Sequence, residues 1–472
     1  MAREIVQVRK LADAAAFDAH LDAIGAVLPR HADLAAVLGQ PFDAAGHRLA
    51  NRWVVLPMEG WDGTPDGRPT DLVRRRWRRF GESGAALVWG GEAVAVRLDG
   101  RANPHQLTMG PESVGDLATL RAEVLAGHAE ATDDGPAPQI GLQLTHSGRW
   151  SRPNGTPAPQ IAFRHPLLDE PVGATDANVV TDAWLDDLIG AYADAARVAR
   201  EAGFDFVDVK HCHGYLLHEL LAAHDRPGRY GGELQNRTRF LTDTVAAIHR
   251  DATGLEIGVR LSAFDVVPHR RGTDGRGEPA AAGPYAYAFG GDGTGTGIDL
   301  TEVHALCTAL EQLDVTLLCI TAGSPYSCPH VQRPAYFPPS DGYHPPRDPL
   351  LEVARLLDVT AAITRAHPGL TVVASGLSYL QEWMPSVAAG IVATGGADLV
   401  GYGRGVLSYP NLPAAVLAGA PLERPRLCRT FSDCTTAPRN GLISGCYPID
   451  PFYKARPERL ELTAAKRAAG SA

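Results

Sequence analysis

Within six positions, Lys210, His211, His213 and Tyr215 bring together an ammonium, two imidazoles and a phenol. These groups donate protons or steady developing negative charge, and they follow directly on an apolar run, Phe204 to Val209, that reads as a β-strand. Proton-moving groups at the end of a strand suit catalysis better than packing. A solvated helix-capping loop is the plainer reading of any one of them. A second cluster, Arg229 to Gly232 with Asn236 and Arg237, follows closely and turns the combination toward chemistry. Neighbouring positions at a strand end alternate sides, so His211 is expected to face away from Lys210 and His213.

The strand carrying this cluster is one of eight short β-rich runs: 53–58, 85–90, 140–145, 204–209, 255–261, 315–321, 370–375 and 397–402. Helical patterns separate them. One follows Thr181, with Asp182 as its expected cap, Leu185, Leu188, Ile189, Tyr192 and Ala196 on one face, and Gly203 as its stop. Continuous apolar strands alternating with helices imply parallel strands covered on the outside. The pattern predicts an α/β fold, a (β/α)8 TIM barrel over 46–420, with an N-terminal helical extension (1–45) and a C-terminal cysteine-containing tail (421–472). A doubly wound sheet would carry a Gly-rich turn after its first strand, where this chain has Pro57-Met58-Glu59. Two loops, 263–299 and 322–349, are too long for simple connectors. Tyr326, Tyr336 and Phe337 make the second read as a lid over the site.

In such a barrel the residues just past each strand face the active site. They include Met58 and Glu59, Gln143, Lys210 to Tyr215, Arg260, Ser375-Gly376 and Gly403-Arg404. Gln143 and Arg260 are polar side chains in otherwise apolar strands, where they need a satisfied hydrogen bond or a polar ligand. Glycines, a hydroxyl and an arginine after strands seven and eight suit a phosphate group.

Apolar residues make up 45% of the 472-residue chain and charged residues 21%, as in soluble globular proteins. A net charge of −10 without a basic stripe argues against nucleic acid as a partner. No stretch reaches the roughly 18 consecutive apolar residues of a membrane span. The opening MAREIVQVRK has no apolar signal region, and seven cysteines make an odd number, so a reducing cytoplasm is expected. A small molecule is the expected partner, and the long loops leave room for a homo-oligomer.

These residues resemble the Old Yellow Enzyme family of FMN-dependent NAD(P)H:flavin oxidoreductases over about residues 46 to 420. The motifs are Asn51-Arg52 with Leu56 to Met58, Pro65 to Gly67, Ile140 to Arg149, His213 to Leu216, Arg229 to Gly232, Asn236-Arg237, Gly258 to Arg260 and Ala397 to Arg404. The spacing from His213 to Arg237 is the most specific part. The resemblance implies FMN held non-covalently across the barrel mouth. Pro57 and Met58 would touch its ring by backbone with Glu59 beside them. Gln143 would bind the pyrimidine edge, Arg260 the N1–C2=O region, and Ser375, Gly376, Gly403 and Arg404 the phosphate. It further implies reduction of the flavin by NAD(P)H and hydride transfer to a C=C bond conjugated to a carbonyl. Lys210 and His213 would hold the carbonyl oxygen and Tyr215 would supply the proton. Alternatives are oxidation or demethylation of a small amine or betaine caged by the lid aromatics, a flavin-binding barrel without turnover, or Schiff-base chemistry on Lys210.

The chain departs from that family in two places. Lys210 stands where histidine is usual, and Glu59 where small residues, cysteine or threonine are common. A Lys210–Glu59 pair would neutralise both and leave His213 and Tyr215 to the substrate. The tail resembles the iron–sulfur segment of the 2,4-dienoyl-CoA reductase and trimethylamine dehydrogenase group, spaced C-x2-C-x3-C-x11-C. Cys434 and Cys446 keep the last spacing, but Leu427 and Thr430 fall on the first two positions and Cys428 is one residue out of register. A [4Fe–4S] cluster normally takes four thiolates, so a cluster-free tail is expected, with an iron–sulfur or zinc site on Cys428, Cys434 and Cys446 as the alternative.

Overall fold

The computed structural model describes residues 5–133 and 135–469, so the first four residues of the N-terminal extension and the last three of the tail lie outside the described residues. Eight parallel strands close into a barrel: β1 Trp53–Val55, β2 Leu87–Val88, β3 Gln139–Thr145, β4 Phe206–Val209, β5 Glu256–Ser262, β6 Leu317–Thr321, β7 Thr371–Ala374 and β8 Leu399–Tyr402. Closure runs through β8 and β1, where Val400 pairs with Trp53 and Tyr402 with Val55. The second strand bends at Gly90 and Gly91 and resumes at Ala93–Ala95, pairing a second time with β3. The eight predicted runs are therefore the eight strands. Asn51 ties the first two together at their base: its Nδ2 donates to the Gly84 carbonyl, and its Oδ1 accepts from the backbone of Trp53 and Ala86.

The helices cover the barrel as their periodicity predicts. In the helix Asp182–Glu201, Leu185, Leu188, Tyr192 and Ala196 are buried, and Gly203 closes the turn with φ of 87°. Its cap is Thr181, whose hydroxyl accepts from the Trp184 N–H at 3.1 Å. Asp182, the expected cap, instead pairs with Arg226 at 3.0 Å and accepts from the Arg229 N–H. The Arg229–Arg237 segment thus braces this helix, with Arg237 also reaching the carbonyls of Gly232 and Leu221 and the carboxylate of Glu302.

A β-hairpin, Phe42–Ala44 against His47–Leu49, straddles the 45/46 boundary expected between extension and barrel. Ala44 and Leu49 pack with Val54, Leu87, Trp89, Phe206 and Val373, so the hairpin plugs the lower end of the barrel. Trp89 and Phe206 meet edge to face in that interior at 5.5 Å. Gly141 makes room for them, since a Cβ there would lie 2.3 Å from the Phe206 ring. The loop 263–299 folds back onto the barrel through a short hairpin, His269–Arg271 with Gly277–Pro279. After the barrel, a seven-residue helix, Asp433–Arg439, returns to the mouth.

Candidate active site

The floor of the mouth is organised by Asp208, a wholly buried carboxylate at the end of β4. It accepts from Trp89 Nε1 at 2.7 Å, Gln143 Nε2 at 2.5 Å and the Arg260 backbone N–H at 2.8 Å. Burial pushes its pKa up, and the three donors oppose that. With Nε2 of Gln143 turned down to Asp208, its carbonyl oxygen is the acceptor turned to the cavity above. Arg260 Nε, also buried, has no hydrogen-bond partner among the described residues.

Pro57, Met58, Glu59, Gln143, Lys210, His213, Tyr215 and Arg260 all line one cavity of about 170 Å³. A second cavity of about 210 Å³ shares Pro57, Met58, Glu59, His213 and Arg260 and continues to Gly376, Ser378, Gly403 and Arg404. The Met58 N–H donates to the Gly91 carbonyl at 2.8 Å, so the carbonyls are what this turn has left to offer. A Cβ on Gly403 would meet nothing closer than 3.9 Å, which leaves the space there to the cavity. Arg404 reaches the Pro334 carbonyl at 3.0 Å, while its Nη1 has no hydrogen-bond partner among the described residues. One end thus presents an acceptor and a guanidinium to a planar heterocycle, and the other a glycine-lined cradle with an arginine suited to a phosphate. A larger cleft of about 860 Å³, near Gly25 and Arg355, contains none of these residues.

The chemistry-bearing residues are held tightly. His213 has φ of 68°, and its backbone is pinned by two serines: its N–H donates to Ser262 Oγ at 3.2 Å and its carbonyl accepts from Ser324 Oγ at 2.9 Å. Its Nε2 lies 3.0 Å from the Gln332 carboxamide nitrogen. Burial, then Arg260 and Lys210, drive its pKa well below the ordinary value, so the ring is neutral. Burial, then Glu59, raise the Tyr215 phenol well above its usual pKa, so it keeps its proton. Its hydroxyl is 3.4 Å from that of Tyr326. Lys210, only 3% exposed, places Nζ 3.5 Å from Glu59 Oε1 and 4.1 Å from the centre of the Tyr215 ring. Glu59 Oε2 accepts from Trp61 Nε1 at 2.9 Å, so Glu59 joins the lysine and the tryptophan. His211 faces away as expected: its Nδ1 meets the Val209 carbonyl at 2.8 Å, and burial lowers its pKa to about 4.

Two expected residues are displaced. Ser375 lies off the cavity wall, its hydroxyl donating to the Ile320 carbonyl at 2.6 Å, and Ser378 stands at the wall in its place. Of the lid pair, Tyr326 is on the wall, stacked on Trp150 at 4.2 Å. Tyr336 instead packs on the hydrophobic core beside Phe337.

The sequence reading missed the outer wall. Trp61, Arg333, Thr435, Pro438 and Arg439 complete it, and Cys434, singled out only as a metal ligand, lines both cavities. Burial raises the thiol pKa of Cys434. Among the described residues, no three His, Cys, Asp or Glu side chains are placed to hold a metal ion.

A sequence profile of the NADH:flavin oxidoreductase / NADH oxidase family matches residues 38–277, just over half of the chain. The chain is 30% identical to an NADPH dehydrogenase of Geobacillus sp. (strain WCH70) over 237 residues, which cover 49% of this chain and 65% of that relative. Among solved structures, a 2-naphthoyl-CoA reductase matches 90% of this chain and 58% of its own at a TM-score of 0.66 and 17% identity. An Old Yellow Enzyme homologue from Zymomonas mobilis matches 82% of this chain and 93% of its own at 0.56 and 20%. At those identities the likeness is one of fold.

Proposed function

Because the chain belongs to the NADH:flavin oxidoreductase / NADH oxidase family, we propose that it is an FMN-dependent oxidoreductase that uses NAD(P)H to reduce a C=C bond conjugated to a carbonyl. The observation that carries this reading is the meeting, on one cavity, of a neutral imidazole, a protonated phenol and the Gln143–Arg260 pair. The residues fit FMN. Gln143 and Arg260, with its partnerless Nε, would hold the pyrimidine edge; Gly376, Ser378, Gly403 and Arg404 would hold the phosphate. When bound, FMN supplies the hydride. The NADPH dehydrogenase relative supports NADPH as the donor.

The chain's own groups do the rest. Neutral His213 donates an N–H to the substrate carbonyl oxygen, and the Lys210 ammonium adds its field, so negative charge building on that oxygen is steadied. Tyr215 protonates the α-carbon, and half-buried Tyr326, whose hydroxyl is 3.4 Å away, is placed to pass it a replacement proton. Oxidation of a cationic amine fits less well: Lys210, Arg260, Arg333 and Arg439 line the cavity against the single carboxylate of Glu59, and Tyr336 and Phe337 are absent from its wall. Free thiols at all seven cysteines suit a reducing cytoplasm.

The test is anaerobic. Purified protein should bind FMN, bleach with NADPH or NADH and recover its colour with an enone. Tyr215→Phe should still bleach but lose roughly 10²-fold or more in enone turnover. Failure to bind FMN, or full turnover without the phenol, would overturn the proposal.

A further inference from the structure

The substrate cavity holds more positive charge than the chain itself answers. Of the cations on its wall, Lys210 has Glu59 at 3.5 Å. Arg439 has Asp341 at 2.6 Å, a carboxylate whose side chain is 55% exposed. Arg260 lies over Asp208, through its own backbone N–H. Arg333 makes no ion pair among the described residues, and Asp341 acts on it only from further away. Arg333 donates through Nη1 to the Thr435 hydroxyl, and its Nη2, shielded from solvent, has no hydrogen-bond partner among the described residues. Burial, then Arg439 and Arg404, pull the Arg333 guanidinium down to about 9, a sign that it is enclosed beside like charge. A guanidinium kept in such surroundings is costly unless an anion completes it. Arg333 and Arg439 line the same cavity as His213 and Tyr215. Arg439 already donates to Asp341 and, through Nη2, to the Pro325 carbonyl at 3.0 Å, so the open donor is Arg333 Nη2, with Arg439 adding positive charge beside it, and that pairing suits a carboxylate.

We infer that the substrate is an α,β-unsaturated carbonyl compound that also carries a carboxylate, held by Arg333 and Arg439 while its conjugated carbonyl rests on His213. The inference builds on the proposed reduction and names its substrate class. In the reaction the C=C π bond is lost, and the β-carbon gains a hydride whose two electrons come from NAD(P)H. The α-carbon gains the Tyr215 proton, and the products are the saturated keto acid and NAD(P)+. Helix Asp433–Arg439 brings Thr435 and Arg439 to the wall, so the selectivity would be shared between the loop that carries Arg333 and the segment after the barrel.

The experiment uses the FMN-loaded enzyme with trans-acetylacrylate, an enone bearing a carboxylate, and with its methyl ester. Levulinate and methyl levulinate, the saturated counterparts, serve as calorimetric ligands. The acid should exceed the ester in kcat/KM by about 10- to 100-fold, the worth of a charge-assisted hydrogen bond or two. Levulinate should bind with a similar advantage. Arg333→Gln and Arg439→Gln should bring both ratios toward one, and Arg333→Lys, which keeps the charge but not the fork, should fall between. Melting curves and bound FMN confirm that each variant is folded. Equal handling of acid and ester by the wild type would overturn the inference and leave the proposed function standing. So would an Arg333→Gln enzyme that loses FMN while keeping its preference for the acid. Arg333-dependent binding of levulinate without turnover of either enone would uphold the anion site and sink the proposed reaction instead.

Discussion

Replacing Asp208 with asparagine should weaken FMN binding although the residue does not reach the cavity. The carboxylate offers two acceptor oxygens to three donors: Oδ2 to Trp89 Nε1 and Gln143 Nε2, Oδ1 to the Arg260 N–H. Asparagine has one acceptor. The Arg260 N–H belongs to the backbone of β5 and cannot turn away, so the amide oxygen must serve it. The new NH2 group then faces two donors. Gln143 can answer by reversing its carboxamide, but Trp89 is left with a stranded buried N–H. A lost charge-assisted bond is worth about 1.5–3 kcal/mol and a stranded buried donor costs about 1–3 kcal/mol. With partial relaxation, a loss of about 2–4 kcal/mol in folding stability is expected. The reversed Gln143 now presents its NH2 group to the cavity where an oxygen stood before. Turning an acceptor into a donor there should cost about 1.4–3 kcal/mol in FMN binding, a rise in Kd of about 10- to 100-fold. Quenching of flavin fluorescence on titration with apoprotein measures the Kd, and urea unfolding measures the stability. A folded Asp208→Asn protein with wild-type FMN affinity would refute the view that Asp208 sets the face Gln143 presents.

Two further outcomes are expected. At 3.5 Å the Lys210–Glu59 attraction is about 5 kcal/mol before desolvation at an effective dielectric near 20, so a double-mutant cycle with Lys210→Met and Glu59→Gln should return a net coupling of about 1–3 kcal/mol in urea unfolding; a value below about 0.5 kcal/mol would mean that the pair is incidental. His211, lowered from 6.5 to about 4 by burial, binds fewer protons folded than unfolded between those values. Its contribution to stability is complete above the unfolded value and is lost as pH falls toward 4, at up to about 1.4 kcal/mol per pH unit. His211→Asn should flatten that part of the stability–pH curve, and an unchanged slope would show that the imidazole does not titrate in this way.

The barrel was legible because its strands are short, apolar and separated by helical patterns, and because polar exceptions such as Gln143 and Arg260 stand out against them. Asp208 was harder to see. It lies in a run that reads simply as an apolar strand, and only the pairing of β4 with β3 and β5 brings Gln143 and Arg260 to it, with Trp89 reaching in from the end of β2. Ser375 and Ser378 differ by less than one turn, yet the left-handed Gly376 between them, with φ of 82°, decides which hydroxyl meets the cavity. Trp61 was invisible for a similar reason. Its position depends on a buried Arg76 held by Asp62 and Glu92, whose Oε2 accepts the Gly60 N–H, a network with no local pattern. Arg333, Thr435 and Arg439 meet from segments about a hundred residues apart, as the Arg333–Thr435 separation of 102 shows. Periodicity carries no information at that distance.

The helix Asp433–Arg439 also sets an order of events during synthesis. Closure of the barrel already waits for a late segment, since Arg52 must meet Asp398 across 346 positions. The wall that faces the substrate is made later still, from residues past the last strand. A ribosome adds only about 5–20 residues per second, so the nascent chain spends a few seconds with the cavity floor in place and its outer side missing. Competence arrives only with residues 433–439, and a chain cut short just after β8 would contain every strand of the barrel and no finished site.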